Sequence, residues 1–318
     1  MMFDVFKNLL NPLLYMFLFI AAGFVLRRMK VLPDNAAAVL SRLESDFIIP
    51  GIILNSFIRH CTVESVRSYA GPMLLCLGLQ VLLILAAGPL SKLFVKEGYY
   101  RNLYRYQLIY TSWGFMGFAL VQALFGSEAL YYFILFALPM SVGCYLYGVP
   151  LLTPQEEGTG SKLKNLLNPS IAATLLGAAL GLAGFEKVMP QFLSDALTAC
   201  TNMFSPLAML LTGLTIGGFA LKDMFLEKRS WSICLIRMVL IPPVMLGIAY
   251  LAGADDRLML YVLFLHAMPL GLFPVIYPPR YGKDARPGAS MALVSCLLCL
   301  VTVPVFYVVL TGLLGVTP

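Results

Sequence analysis

The sequence predicts an all-α integral membrane protein, with ten transmembrane helices arranged as two inverted five-helix repeats. Three observations predict it: the chain is apolar, its basic residues concentrate in alternate loops, and one stretch recurs half a chain later. Of 318 residues, 60% are hydrophobic and 12% are charged, against roughly 25% charged in a typical soluble domain. A soluble fold of this size could not cover so much apolar surface. Seven cysteines are scattered, mostly through apolar runs, without CxxC or Cys/His spacing. They read as small buried hydrophobes, not as disulfides or metal ligands. The net charge of +6 sits in short loops, which is a membrane-topology pattern and not a nucleic-acid one.

A helix needs about 20 residues to cross the hydrocarbon layer. The first span is 12–28. Its apolar run, Leu13–Leu26, meets Arg27, Arg28 and Lys30 without a small-residue cleavage site, so it reads as a retained helix and not a signal peptide. The second span, 36–58, and the seventh, 190–221, are the least apolar. The third, fourth and fifth are 70–93, 102–125 and 129–152. A cytoplasmic linker over 153–165, with the polar run PQEEGTGSKLKN, separates the halves 1–152 and 166–318. The sixth, eighth and tenth spans are 169–185, 231–253 and 287–313. The ninth, 256–280, holds Pro269, Pro274, Pro278 and Pro279. Loops after odd-numbered spans carry fifteen Lys and Arg, and the opposite loops carry five. That bias places the odd loops in the cytoplasm and both termini outside a bacterial-type plasma membrane.

Residues 9–33, LLNPLLYMFLFIAAGFVLRRMKVLP, share ten of 25 positions with 166–190, LLNPSIAATLLGAALGLAGFEKVMP, at an offset of 157. The echo continues as Pro50 with Pro206, ALFGSEAL (123–130) with PRYGKDAR (279–286), and Pro150 with Pro304. Each copy holds five spans. Five is odd, so the second copy enters the membrane from the other side, as in inverted-repeat carriers.

Carriers of that kind bind substrate near mid-membrane, at broken helices in corresponding spans. Span four reads YTSWGFMGFALVQALFG (110–126) and span nine LHAMPLGLFPVIYPPRYG (265–282). Pro269 breaks or kinks span nine. Gly114 and Gly117 allow unwinding in span four. Amides freed at half-helix N-termini attract anions. The candidate substrate-binding residues are therefore Ser112, Trp113, Gly114, Phe115 and Gly117 with His266, Met268, Pro269, Leu270, Gly271 and Phe273. Arg237, about 9 Å into span eight, either draws in an anion or snorkels to the interface. His266 either handles a proton or is a hydrogen-bonded buried imidazole. Glu44 and Asp46 either relay protons or, for Asp46, pair with Arg42. Gly177-x3-Gly181 and Gly213-x3-Gly217 read as helix-packing seams.

The chain resembles the auxin efflux carrier family, within the wider group that includes the bile acid:sodium symporters. The resemblance rests on Gly23 to Arg28 closing span one, Pro50 in IIPGIIL, and Gly114, Phe115 and Gly117. It continues with LTIGGFAL (214–221), Ala-Met-Pro (267–269), YGKD (281–284) and TVP (302–304). It implies a scaffold of spans one, two, six and seven, and a transport unit of the other six spans moving elevator-fashion. It also implies small organic anions as cargo, including aromatic acids and dicarboxylates. Where the family often has Asn, this chain has Ser112, and Leu270–Pro274 (LGLFP) replaces an Asn-containing segment. That more apolar crossing suits a bulkier or aromatic acid better than malonate.

No GxSxG, HExxH or P-loop is present, so an enzyme is not expected, nor is a metal or organic cofactor. Carboxylates are sparse in the transport spans, which favours potential-driven or proton-coupled movement over sodium coupling. Expected partners are the organic anion and the lipid bilayer, with a homodimer left open. The rival reading is a membrane sensor that binds ligand without moving it.

Overall fold

The structure is a computed structural model that describes residues 2–153 and 169–316, and the predicted polar run at 154–165 lies outside them. Among the described residues the chain is helical, with no named strand and a single isolated bridge. Among the described residues, six helical stretches are long and apolar enough to cross a membrane: Asn11–Arg28, Ala70–Ser91, Trp113–Phe136, Gln191–Gly217, Lys228–Leu251 and Arg286–Gly312. Five of them coincide with predicted spans one, three, seven, eight and ten, while Trp113–Phe136 joins the second half of predicted span four to the start of span five across a non-helical kink at Gly126 (φ 83°, ψ −173°). The second predicted span is the Ala36–Leu43 helix, a π-helical turn Glu44–Ile48 and the Ile49–His60 helix. The fifth and sixth are represented by shorter apolar helices, Leu138–Leu152 and Pro169–Leu182. The ninth leaves helix after His266.

Proline shapes these helices locally. The π-helical turns Glu44–Ile48, Cys144–Gly148 and Ile236–Leu240 each end two residues before a proline, Pro50, Pro150 and Pro242. Proline offers no amide to the preceding turn and its ring collides with that turn's carbonyl. Widening the turn by one residue relieves the collision without ending the helix. Elsewhere the chain turns on glycine. Gly126 (φ 83°) and Gly282 (φ 64°) both occupy the left-handed region, and both fall in the echoed segments ALFGSEAL and PRYGKDAR.

Two helix pairs pack at backbone contact. Met2–Arg28 lies along Gln191–Gly217, and Ile49–His60 lies along Pro169–Leu182. A Cβ at Gly23 would strike the Leu210 carbonyl, and one at Gly213 the Ile20 carbonyl. Gly177 and Gly181 face Phe57 and Cys61 in the same way. Gly177, Gly181 and Gly213 belong to the packing seams read from their spacing, and Gly23 faces Gly213's helix across the second of them. Polar ties cross the same region. Asn55 Nδ2 donates to Thr201 Oγ1 at 3.2 Å, and Arg59 donates to Asn55 Oδ1 at 2.9 Å and to Ser194 Oγ at 2.7 Å. All seven cysteines are free and buried. Among the described residues, ion pairs join Arg27 to Asp34 and Arg286 to Asp284. The Arg42–Asp46 pair, one of the two readings for Asp46, is not among the ion pairs of the described residues; Asp46 Oδ1 accepts from Ser45 Oγ at 3.0 Å.

Candidate functional site

The Tyr99–Ile109 helix ends in extended backbone at Tyr110 (φ −107°, ψ 131°), and helix resumes as the π-helical turn Trp113–Gly117. The Asp256–His266 helix ends at His266, and helix resumes only at Phe273–Ile276. Pro269 explains the second break, because the residue before a proline is driven out of helical conformation. The interruptions meet. Thr111 and Leu270 form an antiparallel bridge, and Ser112 N–H donates to the Pro269 carbonyl at 2.7 Å. Thr111 Oγ1 donates to the Leu265 carbonyl at 2.7 Å, and Gln107 Nε2 donates to the Gly271 carbonyl at 3.2 Å. Leu270 N–H donates to Ser295 Oγ at 3.0 Å. Backbone groups released by the breaks thus find partners inside protein, the condition for irregular backbone at membrane depth.

One expectation is corrected here. The break in span four lies at Tyr110–Ser112, ahead of the two glycines, and neither glycine has positive φ. Gly117 serves close approach instead: a Cβ there would lie 3.3 Å from the Phe264 carbonyl oxygen. A Cβ on Gly114 would meet nothing within 4 Å.

A cavity of about 100 Å³ opens beside the paired breaks, room for several waters. Ser112, Trp113, Gly114 and Phe115 line it from one break, and Gly271, Leu272 and Phe273 from the other. Ser45, Ile49, Ser170 and Thr174 line it from predicted spans two and six, and Tyr106, Ser141 and Tyr145 are among its other lining residues. No charged side chain among the described residues lines this cavity.

A sequence profile for the family described as membrane transport protein matches the chain twice, at residues 8–160 and 158–307. The chain belongs to this auxin efflux carrier-type membrane transport family. An uncharacterized transporter from Methanothermobacter thermautotrophicus is 22% identical over 313 residues, covering 96% of this chain and all of that relative. As a member of the membrane transport family with apolar helices of spanning length, the protein is a multi-pass membrane protein.

In this auxin efflux carrier-type protein, six of the twelve sequence-derived candidates line the cavity: Ser112, Trp113, Gly114, Phe115, Gly271 and Phe273. Gly117, Met268, Pro269, Leu270, His266 and Arg237 are not on its wall. Arg237 does not snorkel. Its side chain is fully buried, and it donates through Nη1 to the His266 carbonyl at 2.8 Å and through Nη2 to the Ile109 carbonyl at 3.4 Å. Those carbonyls end the two interrupted helices and stand 157 residues apart, the offset of the echo. Helix C-termini carry partial negative charge, so Arg237 sets its cation where two of them converge. His266 is buried with neither ring nitrogen hydrogen-bonded among the described residues, so the hydrogen-bonded imidazole is not what the structure holds.

Sequence reasoning missed the hydroxyl wall. Ser45 with Ile49, Ser141 with Tyr145 and Ser170 with Thr174 are all i, i+4 pairs in cavity-lining helices. Such spacing marks one helical face, so the signal was present. Thr111, the residue that ties the two breaks, carried no signal of its own. Thr111→Val removes its bond to Leu265 and orphans that carbonyl, a loss of about 1–3 kcal/mol. A thermal melt of the purified protein should fall by a few degrees; an unchanged melt would show that the tie is dispensable.

Proposed function

We propose that this protein is a secondary transporter that moves a small organic anion across the plasma membrane by elevator-type alternating access, with cargo bound in the cavity at the paired breaks. The observation that carries this reading is the cavity itself, bounded by the start of the half-helix at Trp113 and by Gly271–Phe273. The first amides of a helix have no intrahelical acceptor, and with the helix dipole they favour an anion. The wall is rich in aromatic side chains, Tyr106, Trp113, Phe115, Phe118, Tyr145 and Phe273. That lining suits an aromatic or otherwise bulky acid.

The ten-span inverted repeat belongs to the same proposal. It is supported by the twofold profile match, by the matching glycine turns at Gly126 and Gly282, and by breaks that fall in both halves and bond to one another. The helices of predicted spans one, two, six and seven pack chiefly on one another, which supports a scaffold of those four and a moving unit of the rest. Cytoplasmic odd-numbered loops and outward termini rest on the basic-residue bias. Arg237 already supplies a cation to the converging carbonyls, which favours movement without sodium.

The test is flux into proteoliposomes of radiolabelled aromatic and dicarboxylic acids, by wild type and Gly114→Leu. Because Gly114 faces open space, leucine has room to enter the cavity without disturbing the fold. Flux should fall by about tenfold or more, equivalent to about 1.4 kcal/mol in the barrier, while the melting temperature stays close to wild type. Equal flux in the two proteins would remove the cavity from the pathway. Binding without accumulation by wild type would favour a sensor.

A further inference from the structure

One buried acid has no part in the site described above. Glu44 lies in the helical stretch of predicted span two, eight residues beyond its start at Ala36, about 12 Å along the axis at the helical rise. Its side chain is fully buried, and neither carboxylate oxygen has a hydrogen-bond partner among the described residues. Such an arrangement is unstable for an ordinary structural acid, since a buried polar group is normally hydrogen-bonded and a buried charge paired.

The surroundings offer no counter-charge. On its own helix the neighbouring charged groups are Arg42 and Asp46, both exposed on the helix surface. The Pro169–Leu182 helix packed against the π-helical turn carries no titratable residue. The Gln191–Gly217 helix, also packed there, carries only Asp195 and Cys200, and Cys200 lies at the level of Gly51, two turns away from Glu44. Across the cavity the titratable wall residues are Tyr106, Tyr145 and Cys144.

The acid is also placed to affect the cavity. Glu44 opens the π-helical turn Glu44–Ile48, and the next residue, Ser45, lines the cavity together with Ile49 at the end of that turn. A π-helical turn is a local distortion with an alternative α-helical register. Charging or neutralising its first side chain would bias which register is held, and with it the position of Ser45.

We propose that Glu44 is a proton-binding site of this carrier, and that its protonation is coupled to movement of cargo. This rests on the transport reading above. Enclosed, Glu44 holds a proton on one Oε as the neutral acid. When the helices around it part and water enters, the O–H bond breaks and the proton passes to water, leaving the carboxylate solvated. The reverse step takes a proton from water on the other side of the cycle.

Two measurements test it, on wild type, Glu44→Gln and Glu44→Asp, with thermal melts to confirm folding. The first is an infrared pH titration of the reconstituted protein, which reads the C=O band of a protonated carboxyl in an apolar setting. Wild type and Glu44→Asp should show a band that titrates, and Glu44→Gln should lack it. The second is uptake of radiolabelled succinate and benzoate into proteoliposomes with and without a pH gradient. For one coupled proton, the accumulation ratio should change about tenfold per pH unit in wild type and be insensitive to the gradient in Glu44→Gln. A titrating band retained in Glu44→Gln, or none in wild type, overturns the proton site. The same gradient response in wild type and Glu44→Gln overturns the coupling. Absence of flux of either acid counts against the transport reading, while the infrared result still decides whether Glu44 binds the proton.

Discussion

Replacing Arg237 with alanine should lower the melting temperature of the carrier by roughly 5 °C or more and reduce flux to a small fraction of wild type. The Arg237 guanidinium is the donor to both carbonyls at the ends of the interrupted helices, His266 and Ile109. Truncation leaves both without that donor in a site that water does not reach. An orphaned buried polar group costs about 1–3 kcal/mol, and a loss of 1 kcal/mol lowers melting by about 2–4 °C in chains of a few hundred residues. A competing effect runs the other way, since burying a guanidinium is itself unfavourable and an apolar residue of similar volume sometimes replaces a buried charge without loss. Arg237→Met decides which effect wins. If the carbonyl ends need the cation, the methionine variant melts nearly as low as the alanine variant. Arg237→Lys then falls between, because a single ammonium cannot fork to two acceptors. A methionine variant as stable and as active as wild type would show that Arg237 does not hold the crossing together.

The same site shows what a sequence reader can and cannot see. The break in span nine is legible, because Pro269 makes it locally unavoidable. The break in span four is legible only as to region. Two glycines point to Gly114–Gly117, yet the chain leaves helix at Tyr110–Ser112. Nothing local to Tyr-Thr-Ser forbids a helix. The break is held by partners more than 150 residues away, Pro269 for Ser112 and Leu265 for Thr111. Such non-local bonds override propensity without leaving a trace in the segment itself. Arg237 is hard to read for a related reason. Its depth along span eight follows from the sequence, but its burial depends on which helices surround it. The seams at Gly177, Gly181 and Gly213 and the buried cysteines are readable because each depends on one residue's size or polarity alone.

Gly213→Leu should cost the protein its fold and not merely its activity. A Cβ at Gly213 would overlap the Ile20 carbonyl, and Gly23 faces the Leu210 carbonyl across the same seam. The obstacle in both cases is backbone, which cannot rotate aside as a side-chain end does. To admit even one carbon, Met2–Arg28 and Gln191–Gly217 must separate, and with them every contact along that pair is loosened. Overpacking of a well-packed site costs about 1–3 kcal/mol or more, and a leucine adds three carbons beyond the first. The control is Gly78→Ala, in Ala70–Ser91, where a Cβ meets nothing within 4 Å. That change should be neutral or stabilising by up to about 1 kcal/mol, since alanine is the better helix former. Thermal melts in nanodiscs separate the cases: a large drop or no folded protein for Gly213→Leu, and no drop for Gly78→Ala. If Gly213→Leu melted within a degree of wild type, the two helices would not be in backbone contact, and the scaffold against which the paired breaks are proposed to move would lose its rigidity.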